Sequence, residues 1–142
     1  MFEPQFMIPK QNRFSMVGLN PLYLSECLET AIKETGICNT DKFTWIQLKL
    51  KNELSVLDIT DIDIPLFNMC HKKAEQTNFN LSIEYLIPNF ISDCARFHGF
   101  DGISYRSVHD YVSKNLVLFK AGKRDFNVEK IDSRNFDKVL NR

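Results

Sequence analysis

An acid, a cation and a hydroxyl stand out in this chain because of where the surrounding pattern puts them. In RFSMVGLNPLYLSECLETAIKE, from Arg13 to Glu34, Leu22-Tyr23-Leu24 reads as a short buried strand and Ser25 as the start of a helix. On helical spacing Cys27, Leu28, Ala31, Ile32 and Thr35 form one arc, while Glu26, Glu29 and Lys33 face the opposite, solvated side. Glu34 lies at the edge of the apolar arc and is the helix carboxylate aimed toward the interior or a cleft. An acid so placed costs free energy unless something pairs with it. Arg13, at the near end of a turn containing Gly18, is one candidate partner, and a bound ligand is the other. The hydroxyl is Ser107, at the end of the strand Gly102 to Arg106. Each also has an ordinary explanation: Glu34 as a cap on a surface helix, Arg13 as a solvated loop residue, Ser107 as a turn.

The elements that must position these residues follow in mixed order. Met1 to Asn12, with Pro4 and Pro9 and no periodicity, reads as an extended arm. Arg13 to Pro21 reads as strand and turn, broken at Gly18 and Asn20-Pro21. After the first helix, ending near Gly36, the alternation of Phe43 to Leu50 (FTWIQLKL) predicts a half-buried strand. Its inner face would be Ile46, Leu48 and Leu50, its outer face Trp45, Gln47 and Lys49. Leu54 to Ile59 reads as its hairpin partner across Asn52. Pro65 to about Gln76 carries Leu66, Met69, Cys70 and Lys73 at helical spacing, and Thr77 to Leu81 is a polar loop. A stronger helix runs from Tyr85 to His98 on Ile87, Phe90, Ile91, Cys94 and Ala95. Pro88 sits in its first turn and Gly99 stops it. The strands Gly102 to Arg106 and Asn115 to Phe119 flank a polar loop. Val128 to Ile131 reads as a last strand and Ser133 to Leu140 as a terminal helix. This order is α+β rather than a regular βαβ alternation.

The bulk numbers bound the function. A chain of 142 residues with 44% apolar content makes one domain with a real core. Lys plus Arg equals Asp plus Glu at 18 each, without runs of one sign, which argues against a nucleic-acid surface and leaves room for a local anion pocket. Twelve phenylalanines point to aromatic packing, including a pocket wall. Cys27, Cys38, Cys70 and Cys94 make no CxxC pair, and His71, His98 and His109 are scattered, so no metal site is expected. Cys27 and Cys94 fall on apolar helical faces and read as buried free thiols of a reducing cytoplasm. No apolar run reaches membrane-spanning length and the start lacks a secretory signal, so the expected location is cytoplasmic, with no membrane contact. Gly-rich phosphate loops, GxSxG, HExxH and Cys-His catalytic spacings are missing.

Two blocks resemble the RES domain family. The first is Arg13-Phe14, Gly18, Leu22-Tyr23-Leu24-Ser25 and Thr30-Ala31-Ile32-Lys33-Glu34. The second is Tyr85 with Phe90-Ile91, then Phe97-His98-Gly99-Phe100-Asp101-Gly102-Ile103-Ser104-Tyr105-Arg106-Ser107, then Asn115-Leu116-Val117-Leu118-Phe119. The likeness runs from about Phe2 to Phe119, and G-F-D-G-I-x-Y-x-S followed by N-x-V-L-F is its most specific part. The family is named for an Arg, a Glu and a Ser, which map by motif onto Arg13, Glu34 and Ser107.

The resemblance implies an ADP-ribosyltransferase-like mixed sheet with flanking helices: an N-terminal arm over 1–12, a catalytic domain over 13–119, and a C-terminal extension of that domain over 120–142. It implies a bacterial toxin that consumes NAD as substrate, with no prosthetic group. The nicotinamide–ribose bond would be cleaved by phosphorolysis or hydrolysis, or with ADP-ribosyl transfer to a protein. Implied partners are NAD, inorganic phosphate and a helix-turn-helix antitoxin. Arg13 would bind a phosphate, Tyr23 pack on the nicotinamide or ribose, and Ser107 donate to a phosphate or the acceptor. Where the family has a strand with a Tyr-Arg pair ahead of its first block, this chain starts at Met1-Phe2. It also has Pro88-Asn89 in place of a Thr-Gln pair and Asn12 in place of Gly. The alternative expectation is therefore a truncated or inactive module that acts through protein binding.

Overall fold

A computed structural model describes residues 11–16, 18–37, 42–71, 83–121 and 123–135. In chain order the elements are β1 (Leu22–Ser25), α1 (Leu28–Thr35), β2 (Lys42–Leu50), β3 (Val56–Asp58), α2 (Pro65–Asn68), α3 (Leu86–Phe97), β4 (Gly102–Arg106), β5 (Lys114–Leu118) and β6 (Phe126–Asn135). Four strands form a mixed sheet in the order β1-β5-β4-β3, antiparallel except for the parallel β3–β4 pair. The remaining two, β2 and β6, make a separate antiparallel ribbon. The α+β class holds.

Register decides what each face carries, because side chains alternate along a strand. Tyr23, Val117, Ile103 and Leu57 form one row across the sheet, and Ser25, Asn115 and Tyr105 the next. On this face sits the core: Phe14, Ile59, Cys70, Ile91, Ala95, Ile103, Tyr105 and Val117. Helix α3 covers it with Pro88, Ile91, Ser92 and Ala95, whose small members let helix and sheet approach closely. Phe90, expected on the inner arc, lies 100° round from that face and is 60% exposed. The opposite sheet face, with Leu24, Leu116 and Ser104, looks toward the ribbon across a cleft of about 980 Å³. Gly102 fixes the β4–β5 approach: a Cβ there would stand 2.3 Å from the Val117 carbonyl oxygen.

Several expectations give way. Val56–Asp58 does not pair with β2 but joins β4, because Asp101 and Ser55 lock its start beside that strand: the Ser55 N–H donates to Asp101 Oδ2 at 2.8 Å and the Asp101 N–H to the Ser55 carbonyl at 2.7 Å. β6 takes the place beside β2 and extends through Ser133–Asn135, so the terminal helix does not begin there. Phe43, Trp45 and Leu48 are half-buried while Ile46 and Leu50 are exposed, and the ribbon's register shifts between Gln47 and Leu48. Ser25 ends β1 rather than starting the helix, and Arg13 sits in a turn rather than a strand. Cys27 is an exposed N-cap and Cys94 is half-buried; among the described residues Cys70 is the fully buried thiol. α2 gives way to a 3₁₀ turn over Met69–His71, with Leu66 and Met69 exposed. The expected arm over 1–10, Cys38, the rest of the helix toward Gln76, the loop Thr77 to Leu81 and the chain beyond 135 lie outside the described residues.

Candidate active site

Helix α1 brings the acid to the sheet. Its buried positions are Thr30 and Ile32, so the face turned inward differs from the one counted on apolar spacing, and Glu34 follows Thr30 by one turn. Gly36, left-handed at φ 66°, then stops the helix and leaves Glu34 in its last turn. There Oε1 of Glu34 accepts two hydrogen bonds, from Ser107 Oγ at 2.7 Å and from Asn115 Nδ2 at 2.7 Å. Oε2 lies 3.9 Å from His109 Nε2, and the Glu34 side chain keeps 27% of its surface open. One oxygen holds both hydrogen bonds and the other stands beside the His109 ring.

Ser107 is fully buried. Besides donating to Glu34, its oxygen accepts the backbone N–H groups of His109 at 3.1 Å and Asp110 at 3.2 Å. A serine hydroxyl has one donor and two acceptor sites, so this one is saturated. The same bonds shape the loop that follows. Asp110 accepts from the Val112 N–H and the Ser113 hydroxyl and stands 3.9 Å from Lys33. The Val112 N–H, followed by the Ser113 hydroxyl, holds the Asp110 carboxyl below the usual carboxylate range. At the loop's tip Tyr111 and Val112 are exposed.

Arg13 is placed by a tight turn. Asn12 and Ser15 exchange backbone hydrogen bonds, so Arg13 and Phe14 are its two central residues. Phe14 has φ 64°, a left-handed conformation rare for a bulky side chain. It is held there by complete burial, by its ring 4.7 Å from that of Tyr105, and by its carbonyl accepting from Ser92 Oγ at 2.9 Å. The Arg13 guanidinium lies 5.9 Å from the centre of the Tyr85 ring, and the Arg13 carbonyl accepts the Tyr23 hydroxyl. Burial, then the neighbouring Tyr105 and Tyr85, push the Tyr23 phenol up, against the pull of Arg13.

The structure thus joins Glu34 directly to Ser107, and Arg13 directly to Tyr23. Burial raises the Tyr105 phenol, the Arg13 charge opposes that shift and the Glu34 carboxylate adds to it. Two clefts flank the region, the one under the ribbon and one of about 440 Å³ between Thr60 and Arg106. Tyr23 lines the first, whereas, among the described residues, Arg13, Glu34 and Ser107 line neither. In the smaller cleft Arg106 is engaged by the Thr60 and Tyr111 carbonyls and by Asp61.

Asn115 and His109 were not singled out in the sequence. Asn115 had a signal: it heads the otherwise apolar run N-L-V-L-F, and a polar side chain in a buried strand needs a partner. His109, in a polar loop, had none. No helix among the described residues is long and apolar enough to cross a membrane.

No curated protein and no solved structure matches the chain. The family model described as the RES domain matches residues 3–138, nearly the whole length and including Arg13, Glu34 and Ser107. The chain belongs to the RES domain family.

Proposed function

We propose that this protein is a toxin of the RES type that cleaves the nicotinamide–ribose bond of NAD, with Glu34 as the catalytic acid anion. Nicotinamide in NAD is a pyridinium. When its bond to the ribose C1′ breaks, the bonding pair stays with the ring nitrogen and a neutral molecule leaves, so the departing group needs no proton. What remains is an oxocarbenium-like ribose, captured by an oxygen of water, phosphate or a protein side chain. The enzyme's task is to hold the dinucleotide and set negative charge beside the developing cation.

One observation carries this reading: Glu34 has Oε1 tied to Ser107 and Asn115, while Oε2 stands 3.9 Å from His109 Nε2 on a side chain that is 27% exposed. A carboxylate about 4 Å from a unit positive charge gains roughly 4 kcal/mol at an effective dielectric of about 20. That corresponds to about three powers of ten in rate. Arg13 would hold a phosphate through its planar fork, and the Tyr23 and Tyr85 rings would supply a stacking wall. Ser107, with its hydroxyl saturated, serves by fixing the carboxylate. Inorganic phosphate is the proposed acceptor alongside water, and an antitoxin of the helix-turn-helix class the proposed protein partner.

The test is nicotinamide release from NAD by the purified chain, with and without phosphate. Glu34→Gln, which keeps the shape and removes the charge, should lower the rate by about a thousandfold without unfolding the protein. Turnover surviving within about fivefold would remove Glu34 from the role.

A further inference from the structure

We propose that Asn115 is the positioning residue for Glu34, its side-chain amide holding Oε1 so that Oε2 is the oxygen presented to substrate. The identity of that substrate rests on the NAD reading above; the geometry does not.

Asn115 is 3% exposed, and both ends of its amide are in use. Oδ1 accepts from Ser25 Oγ at 2.7 Å, and Nδ2 donates to Glu34 Oε1 at 2.7 Å. An ionised carboxylate only accepts, so the nitrogen must face Glu34 and the oxygen the Ser25 hydroxyl. An aspartate would offer Glu34 no donor, and an aliphatic residue would satisfy neither neighbour.

The mounting of the two residues differs. Asn115 stands on β5, flanked by β1 and β4, and is in register with Ser25 on one side and Tyr105 on the other. Glu34 is a long side chain in the last turn of an eight-residue helix, two residues before a left-handed glycine. By itself that carboxylate would sample several rotamers. The two bonds to Oε1, one from the centre of the sheet and one from Ser107 at the end of β4, select one of them. Misplacing a catalytic group by about 1 Å costs about a hundredfold in rate, so this tie belongs to catalysis as well as to folding.

The experiment uses the full chain and the variants Asn115→Ala, Asn115→Asp and Glu34→Gln. It reads kcat and KM for nicotinamide release from NAD and the midpoint of thermal unfolding. Asn115→Ala should lower kcat by about a hundredfold while KM for NAD stays within about threefold. Asn115→Asp keeps the acceptor for Ser25 but sets a second carboxylate against Oε1, and should lower the unfolding midpoint. Adding Glu34→Gln to it removes one of the two facing charges and should recover part of that loss, not all of it, because the atom in the place of Oε1 cannot both accept from Ser107 and donate to the new carboxylate at position 115. An Asn115→Ala enzyme with kcat within about threefold of wild type overturns the proposal, as do thermal effects of Asn115→Asp and Glu34→Gln that simply add. A wild-type chain that releases no nicotinamide would strike the NAD reading instead, and the thermal cycle would then decide by itself whether Asn115 holds Glu34.

Discussion

Removing the Ser107 hydroxyl tests the local architecture most sharply, because that one atom serves three neighbours. Ser107→Ala deletes a donor to the Glu34 carboxylate and the acceptor for the His109 and Asp110 N–H groups. A hydrogen bond to a charged group contributes about 1.5–3 kcal/mol net, and buried donors left without an acceptor add to the loss. The site is fully buried at Ser107 but partly open at Glu34, so water replaces some of what is lost. The expected cost is about 2–4 kcal/mol. For a chain of this size each kcal/mol moves the midpoint by about 3–4 °C, giving a fall of roughly 6–16 °C. Circular dichroism reads the midpoint, and amide hydrogen exchange at His109 and Asp110 should speed up together. A midpoint within about 2 °C of wild type with unchanged exchange would refute the anchoring role. The kinetics separate the alternatives further. An anchor for Glu34 lowers kcat, whereas a serine that touched the substrate phosphate would show its loss in KM.

Two further outcomes follow from the titrating groups. The exposed Cys27 thiol is made more acidic by the Thr30 hydroxyl and N–H, while burial pushes the Cys70 thiol up to about 12. Iodoacetamide at neutral pH should therefore alkylate Cys27 well ahead of Cys70, and peptide mapping showing the reverse order would contradict the structure. His71 is held below the usual histidine range by burial, with Arg13 and Arg106 adding to it and the Arg106 and Ile59 backbone working against it. Its stabilising contribution is fully present above the unfolded value of about 6.5 and is lost as pH falls through the lower folded value. The urea midpoint should drop between pH 7 and pH 5 and flatten over that window in His71→Gln; parallel curves for the two proteins would count against it.

The residues that do the proposed chemistry were legible in different degrees. Glu34 was visible as a carboxylate off the solvated face of its helix, and Ser107 as the polar end of an apolar strand. Arg13 stood out through its turn and motif. The strands GISYR and NLVLF and the helix on Ile91 and Ala95 could be read because apolar periodicity reports burial directly. The same logic misjudged the rotation of α1, where fully buried Thr30 rather than Thr35 faces inward. It also misplaced the partner of β2, because a hairpin and a long-range ribbon leave the same alternation in sequence.

By itself the sequence determined the α+β class and the family, and it singled out an acid, a cation and a hydroxyl as candidates, since motif and periodicity are local properties of the chain. Only the tertiary structure decided that Glu34 meets Ser107 and Asn115 across 73 and 81 residues of chain. It alone set β6 beside β2 and gave the two carboxylate oxygens different neighbours. Those outcomes depend on strand register and helix rotation, which are fixed by the packing of distant segments against one another and leave no mark on any single stretch of sequence.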